Sequence, residues 1–487
     1  MPDDLAFQSA RALSVLIRRR ELSSLELTRH FIDRIERLDG DINAVVVRTF
    51  ERALKDAEAA DSALARGEVL GQLHGIPMTV KESYVIQDTA TTWGIPSQRN
   101  NIASRDGLAV SRFRRAGALF LGKTNVPVDL SDIQSSNEIF GTTNKPWNLE
   151  RTPGGASGGS AAAIAAGCSA LEAGSDIAGS IRTPAHFCGV YGHKPTWGIV
   201  PLSGHELIEG VPDPDVSVCG PLARDASDLA LALDIMAGPT EREAVGWRLE
   251  LPKSRFRSLR ELRVAIWPTH ELAPVDDEIA AKVVMGGETL ARLGAKVSDG
   301  ARPELDWVKA HHTYLSLTSA TMSSGQPAEQ IARTQKYVDT LDRDNNSCAA
   351  VDARAAVMSH RQWLRHHFRR EKLRRAWDSF FRAWDLLIYP QAAVTALKHD
   401  ARPLGKRSVM VNGDERPCTE QLFWAGLANA PFLPSTVFPT GTSSEGLPIG
   451  IQVTAPAYHD HDSIEFARLI THEIGGFTPP PALSRQR

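Results

Sequence analysis

Two segments rich in glycine and serine, separated by a run of alanines, constrain the fold of this chain most. The first covers residues 154–160 (Gly-Gly-Ala-Ser-Gly-Gly-Ser) and the second covers residues 174–182 (Gly-Ser-Asp-Ile-Ala-Gly-Ser-Ile-Arg). Between them, Ser160 to Ala170 is rich in alanine and glycine, which predicts a helix packed closely in the interior. This run is too short, and its side chains are too small, for a membrane span.

Short apolar or β-branched runs, such as residues 78–80 and 118–121, alternate with helical patterns and glycine turns from about Gly71 onward. Such alternation is typical of an α/β protein. Residues 225–237 predict a further helix, and residues 262–267 predict a strand.

The N-terminal residues 1–65 have a helical pattern instead. Ser23 and Glu26 form a possible capping box, after which apolar side chains recur every four residues. Two polar, irregular stretches, residues 240–260 and 400–416, predict excursions at the surface.

The charge and cysteine content narrow the class of protein. Of the 487 residues, 42% are hydrophobic and 23% are charged, and the net charge is -3, which argues against nucleic acid or an anionic membrane as the main partner. The five cysteines are widely spaced and form no CxxC pair, so we expect neither a disulfide framework nor a zinc site. With no apolar run long enough to span a bilayer and no signal-like start, a reducing, cytoplasmic location is expected.

Residues 351–386 are basic and aromatic. Their aromatic side chains follow helical spacing, with arginines between them, namely Arg365, Arg369, Arg370, Arg374 and Arg375. We interpret the segment as an amphipathic helix lying on the core with its arginines solvated. A wall of a substrate entrance and a membrane-surface helix are the alternatives.

Lys81 is a candidate catalytic base. Lys81 ends the apolar run that follows His74. Burial disfavours the ammonium form and lowers a lysine pKa, so such a side chain can act as a base near neutral pH. Amide hydrolysis requires a base of this kind, a nucleophile and donors for the developing oxyanion.

Seven segments in this order resemble the amidase signature family, which hydrolyses amides with a Ser–cis-Ser–Lys triad. They are residues 74–82, 140–148, 154–160, 174–182, 184–196, 220–224 and 446–450. The resemblance implies one large α/β domain with a mixed, twisted central sheet covered by helices on both faces. It assigns residues 1–65 to a helical region packed on that core and residues 66–480 to the amidase signature domain, with a variable, specificity-shaping segment at about 240–420.

The same resemblance implies roles for particular residues. Lys81 matches the family's lysine and Ser180 matches its nucleophile. The backbone N–H groups of Ile177, Ala178, Gly179 and Ser180 match the oxyanion hole, with alanine at 178 where glycine is usual. Candidate substrate-binding residues are Tyr84, Ile133, Gln134 and Ser135. Asp176 and Arg182 are expected to form an ion pair that supports the loop.

The middle member of the triad departs from the family. Ala156 stands where the family has a serine preceded by a cis peptide bond, and the flanking glycine pairs fix this register. The side chain of the neighbouring Ser157 is expected to point elsewhere. Without the bridging hydroxyl, hydrolysis is expected to be roughly 100- to 10,000-fold slower. We interpret the chain as an inactivated Ser→Ala form of an active amidase, or else as a naturally degraded relative.

Other motif interpretations are less well supported. Residues 155–159 also satisfy G-x-S-x-G, the nucleophile elbow with Ser157 as nucleophile, but loop-like residues precede the motif where an elbow needs a strand. The glycine run lacks the phosphate-loop pattern. Residues 459–462 (His-Asp-His-Asp) are interpreted as a solvated loop before a helix from Ser463. No metal or organic cofactor is expected.

The sequence thus predicts hydrolysis of a carboxylic amide, with apolar or aryl acids or amines favoured, through an acyl-enzyme on Ser180. The expected partner is a small-molecule amide, and the family implies a homodimer. Two alternatives remain: the amidotransferase subunit of a tRNA-dependent amidation complex, and a non-catalytic binding protein derived from an amidase.

Overall fold

One mixed β-sheet organises the computed structural model, which describes residues 3–484. In chain order the strands are β1 Val45–Arg48, β2 Pro77–Lys81, β3 Leu119–Thr124, β4 Ser136–Asn137, β5 Gly141–Thr142, β6 Glu172–Asp176, β7 Tyr191–Lys194, β8 Val218–Ala223, β9 Arg263–Ile266, β10 Lys296–Ser298, β11 Leu386–Pro390, β12 Ser408–Val411, β13 Asp414–Pro417, β14 Ser435–Thr442 and β15 Pro448–Thr454. Among the described residues, eleven strands join in the order β1-β3-β2-β6-β8-β7-β14-β15-β11-β9-β10, and β4-β5 and β12-β13 form separate hairpins.

Helices pack on the sheet. In chain order the α-helices are α1 Ala10–Arg18, α2 Ser24–Ile42, α3 Phe50–Ala65, α4 Leu108–Arg115, α5 Gly158–Ala165, α6 Arg182–Cys188, α7 Ala226–Met236, α8 Asp277–Arg292, α9 Trp307–Met322, α10 Ala328–Thr340, α11 Cys348–Ala356, α12 His360–Ala383, α13 Leu422–Asn429, α14 Asp460–Ile474 and α15 Pro481–Ser484. Short 3-10 helices lie at Asp3–Phe7, Pro96–Gln98, Val128–Leu130, Glu243–Val245, Leu404–Lys406 and Cys418–Gln421. The architecture is the α/β fold with a mixed central sheet that the sequence predicts.

The N-terminal region is not wholly helical. The capping box of Ser23 and Glu26 is confirmed at the start of α2, and the apolar stripe of that helix is buried. Residues 45–48, however, form β1, which pairs antiparallel with β3 at one edge of the sheet. Three consecutive valines favour this strand over a helix. The first 65 residues therefore contribute an edge strand as well as helices.

The alanine-rich helix α5 lies inside the molecule, as predicted, and all of its residues are buried. It ends at Ala165, before Ala170, because Gly167 adopts a left-handed conformation with φ of +71°. The side chains of α5 are small, so the helix lies close to β2, β6 and β8. This packing brings both glycine-and-serine segments to the middle of the sheet.

The segment at about 240–420, which is predicted to be variable, contributes to the core as well as to the surface. The predicted strand at residues 262–267 is confirmed as β9, and β9, β10 and β11 complete the far edge of the sheet. The predicted helix at residues 225–237 is confirmed as α7. Residues 400–416 are not merely irregular, because most of the hairpin β12-β13 lies within them.

The basic, aromatic segment forms α11 and α12, and its aromatic face packs on the core as predicted. One of its arginines is not solvated. Arg370 is buried, donates to both oxygens of Asp215 at 2.7 Å, and lies over the ring of Phe432. Burial of this guanidinium is possible because a carboxylate 155 residues away pairs with it.

The segment at residues 459–462 is not a solvated loop. Helix α14 begins at Asp460, whose buried carboxylate accepts hydrogen bonds from the ring of His193 and from the N–H and hydroxyl groups of Thr196. The next acidic residue, Asp462, is buried too and pairs with Arg255. These carboxylates attach α14 to β7 and to the loop that contains Arg255.

Residues 3–484 include no helix that is both long and apolar enough to cross a membrane. Over the same range, no group of three or more histidine, cysteine, aspartate or glutamate side chains is placed to hold a metal ion.

Asp460→Ala is expected to lower the free energy of unfolding by about 3 kcal/mol or more, because each buried donor left without an acceptor costs about 1–3 kcal/mol. The reason is that the His193 ring and both Thr196 donors would remain buried without an acceptor. Urea unfolding followed by circular dichroism measures the change. A matched control is Asp234→Ala, whose half-exposed carboxylate pairs with His461 and is expected to contribute less than about 1 kcal/mol. Equal effects of the two substitutions would contradict this assignment.

Candidate active site

Lys81 lies at the end of β2 in the middle of the sheet, with its side chain fully buried. β2 pairs in parallel with β6, with Val80 opposite Ala173. This register brings Ser175 of β6 beside the lysine, and Lys81 Nζ donates a hydrogen bond of 2.8 Å to Ser175 Oγ. The amine therefore has a fixed position and a hydroxyl partner.

Burial lowers the pKa of Lys81 from its usual 10.5 to about 7. Nearby acidic groups, including Asp176, Glu82 and Glu172, act in the opposite direction but do not offset the loss of hydration. Near neutral pH a substantial fraction of Lys81 is the uncharged amine, which is the form that accepts a proton.

A buried carboxyl group lies behind the lysine. Glu172 accepts hydrogen bonds from the hydroxyls of Thr79 and Thr124, and Thr124 in turn contacts the hydroxyl of Ser160. Desolvation raises the pKa of Glu172 to about 8, although these hydroxyls favour its ionised form. A carboxyl group that stays largely protonated at neutral pH does not restore the charge on Lys81.

The glycine run that contains Ala156 packs against β6 through the next residue, Ser157. The Gly155–Ala156 peptide bond is cis, and Ala156 is fully buried. Ser157 points away from a bridging position, because its hydroxyl donates to the carbonyl of Ser175 at 3.2 Å and accepts from the N–H of Ser175 at 3.3 Å. The Ser157 N–H donates to the carbonyl of Ser180 at 3.1 Å. The run thus touches both β6 and the candidate nucleophile.

Ser180 is half-buried just before α6. Within residues 3–484 its hydroxyl has no hydrogen-bond partner, whereas Lys81 is engaged with Ser175. The candidate base and the candidate nucleophile are therefore not joined by a side-chain hydroxyl in this chain.

The loop from Ile177 to Ser180 carries the expected oxyanion donors. Within the described chain, the N–H groups of Ile177, Ala178 and Ser180 donate to no protein acceptor. The N–H of Gly179 differs, because it donates to Asp176 Oδ1 at 2.8 Å. Three of the four predicted donors are thus free in this structure. Ala178 does not adopt a positive φ, so its methyl group is tolerated, whereas Gly179 has φ of +100° and requires glycine.

A buried ion pair holds this loop. The predicted pair is confirmed: Arg182 donates to both oxygens of Asp176, at 3.0 and 3.1 Å. Burial opposes ionisation of Asp176, but the charge and hydrogen bonds of Arg182 outweigh it and lower the pKa of the carboxyl. Arg182 also contacts Asn429, whose Nδ2 donates to the carbonyl of Ile177 at 2.8 Å.

The four candidate substrate-binding residues occupy two different places. Ile133, Gln134 and Ser135 belong to a loop against the cis peptide, since Ser135 Oγ donates to the carbonyl of Gly154 at 3.1 Å. The side chain of Gln134 is bound on both sides by the backbone of Asp400. Tyr84 is buried, and its hydroxyl donates to the carbonyl of Gly174 at 2.8 Å. The polar atoms of Gln134 and Tyr84 therefore support neighbouring backbone.

Sequence reasoning missed two residues beside Lys81, namely Ser175 and Glu172. The sequence gives only weak indications of these two residues. Ser175 lies within the second glycine-and-serine segment, and Glu172 is an acidic residue between apolar neighbours. Neither signal identifies the contact with β2, since the pairing of β2 with β6 spans about ninety residues.

The sequence of this chain is similar to those of known proteins. A sequence profile described as Amidase matches residues 26–463. The chain belongs to the amidase signature family. It is 32% identical to a glutamyl-tRNA(Gln) amidotransferase subunit of Moorella thermoacetica, over 92% of this chain and 93% of that protein. It is 30% identical to the indoleacetamide hydrolase of Bradyrhizobium diazoefficiens, over 96% of this chain and 86% of that protein.

The fold of this amidase signature chain also matches a solved structure described as a bacterial aryl acylamidase of the same family. The TM-score is 0.81 at 24% identity, over 99% of both chains. At this identity the likeness concerns the fold alone.

The lowered pKa of Lys81 predicts a pH profile for amide hydrolysis by the Ala156→Ser variant. Below pH 7, kcat/KM is expected to rise about tenfold per pH unit, and above pH 7 it is expected to level off, because the amine must be uncharged. Steady-state kinetics from pH 5 to 9 measure the profile. Lys81→Met is the control and is expected to abolish this limb. A flat profile, or a limb that persists in Lys81→Met, would contradict the assignment.

Proposed function

We propose that this chain is built to bind a carboxylic amide and to hydrolyse it through an acyl-enzyme on Ser180, and that Ala156 interrupts the proton path. The observation that carries the proposal is that no side-chain hydroxyl joins Lys81 to Ser180 among the described residues. Lys81 is a buried amine bound to Ser175, whereas the hydroxyl of Ser180 has no partner among the described residues and lies beside free N–H donors.

The proposed chemistry follows from these positions. With a serine at 156, its hydroxyl would pass a proton from Ser180 to the neutral amine of Lys81. Ser180 Oγ would then attack the amide carbonyl, and the N–H groups of Ile177, Ala178 and Ser180 would stabilise the oxyanion. The same path returns the proton to the leaving nitrogen, and water releases the acid. With Ala156 the nucleophile and the oxyanion donors remain, so binding persists while attack is slow.

Restoring the hydroxyl is expected to raise the reactivity of Ser180. Labelling by a fluorophosphonate should be roughly 100- to 10,000-fold faster in Ala156→Ser than in the chain as it stands, because general acid–base catalysis supplies that range. Intact-mass spectrometry over time counts the adducts. Ala156→Ser combined with Ser180→Ala is the control and should gain none.

Equally fast labelling of the chain with Ala156, persisting after Ser180→Ala, would overturn this proposal. Ser157 would then become the nucleophile to test. A well-folded Ala156→Ser variant that neither labels nor hydrolyses any amide would instead favour a binding protein derived from an amidase.

The proposed substrate is an apolar or aryl amide. Aromatic side chains, among them Trp307, Tyr314 and Trp377, line a cavity beside α13. The same helix contacts the oxyanion loop, because a Cβ placed on Gly179 would lie 3.4 Å from Ala425 Cβ. Part of this aromatic surface is carried by the helix that packs on the loop of Ser180, which favours an apolar acyl or amine group.

The Ala156→Ser variant is accordingly expected to hydrolyse an aryl acyl anilide with kcat/KM at least about tenfold above that for acetamide, since burial of one aromatic ring contributes more than about 1.4 kcal/mol. Chromatographic detection of the released acids measures both rates. Faster turnover of acetamide would exclude this substrate class.

A second candidate is the amidotransferase subunit of a tRNA-dependent amidation complex. What favours it is the 32% identity to a protein of that name over most of both chains. Glutaminase activity of Ala156→Ser together with co-purifying subunits would support it.

A further inference from the structure

Gln391 is the residue that follows β11, and neither the proton path nor the ion pair uses it. Its side chain is buried, with 2% of its surface exposed. Nε2 donates to Thr183 Oγ1 at 3.0 Å, but Oε1 has no hydrogen-bond partner among the described residues. A buried carbonyl oxygen without a donor is unfavourable, and a ligand that brings a donor removes this cost.

The unpaired oxygen lies against the oxyanion loop. A Cβ placed on Gly179 would meet Gln391 Nε2 at 3.0 Å and Thr183 Oγ1 at 2.9 Å. The carboxamide therefore packs on the Cα of Gly179, one residue before Ser180. Because Oε1 and Nε2 share one carbon, the oxygen is held at the same loop.

The side-chain donors of Gln452 and Arg182 are already committed. Gln452 Nε2 donates to the carbonyl of Pro390 at 2.8 Å, and the nitrogens of Arg182 donate to Asp176, Asn429, Gln452 and the carbonyl of Ala425. Among the described residues no backbone or side-chain donor reaches Gln391 Oε1, and a substrate bound at Ser180 can supply one.

We propose that Gln391 Oε1 accepts a hydrogen bond from the N–H of the substrate amide bound at Ser180, and that it selects amides with an N–H over esters and fully substituted amides. This inference rests on the proposed function. Gln391 forms no covalent bond in the reaction and transfers no proton. A site with a buried acceptor rejects analogues without the matching donor, because the acceptor is then left unpaired.

The test uses three substrates of one apolar acid: its 4-nitroanilide, its N-methyl-4-nitroanilide and its 4-nitrophenyl ester. In Ala156→Ser, N-methylation is expected to lower kcat/KM at least about tenfold. Adding Gln391→Met, which keeps the shape but removes the oxygen, should lower the anilide rate at least about tenfold and change the ester rate less than about twofold. The gap between the anilide and its N-methyl derivative should close.

The matched control is Gln421→Met. Gln421 is also buried with an unpaired Oε1, but its amide group contacts Cys418 and not Gly179. All three rates should stay within about twofold in this variant. Ester turnover of the Gln391→Met variant also reports whether it has folded.

The outcomes separate the two proposals. Equal losses on all three substrates, or an unchanged ratio of anilide to ester, would overturn the role of Gln391 while leaving Ser180 as nucleophile. If Gln391→Met does not fold, the N-methyl comparison in Ala156→Ser decides, and equal rates for the two anilides would overturn the inference. No hydrolysis of any substrate by folded Ala156→Ser would overturn the proposed function and this inference with it.

Discussion

The buried ion pair between Asp176 and Arg182 is the interaction on which the candidate site depends. Asp176 ends strand β6, and Arg182 begins helix α6 after the loop. The ion pair therefore joins the two ends of that loop. Two charges without water are tolerated because each is fully hydrogen-bonded, the carboxylate to loop N–H groups and the guanidinium to carbonyl and amide oxygens. Its role is geometric, since it holds the loop on which the N–H groups of Ile177, Ala178 and Ser180 are free.

A second constraint is the burial of Lys81. The same burial that leaves a substantial fraction of the amine uncharged near neutral pH also raises the pKa of Glu172, which disfavours an ion pair between the two groups. Ser175 holds the amine in place without charge. In the proposed function, a serine at position 156 would supply the hydroxyl between Ser180 and Lys81 that Ala156 lacks.

The sequence predicts the features that neighbouring residues determine. It does not predict contacts between segments that are far apart in the chain. The capping box at Ser23, strand β9 and the burial of Lys81 follow from neighbouring residues and are confirmed. The roles of Lys81, Ser180 and the oxyanion donors came from family motifs and stay predictions. The contact of Lys81 with Ser175 and the burial of Arg370 against Asp215 depend on segments 94 and 155 residues apart, so no local pattern signals them.

The order of the strands has a consequence for synthesis of the chain. β14 and β15 lie between β7 and β11 and so join the two halves of the sheet, yet they are among the last elements to leave the ribosome. Gln452 on β15 and Asn429 on α13 also complete the contacts of Arg182. While the chain is still growing, Arg182 therefore lacks the hydrogen bonds to Asn429 and Gln452 that help to hold the loop of Ser180. The loop can gain all of these contacts only after translation has passed residue 452, so truncations before that residue remove part of what holds it.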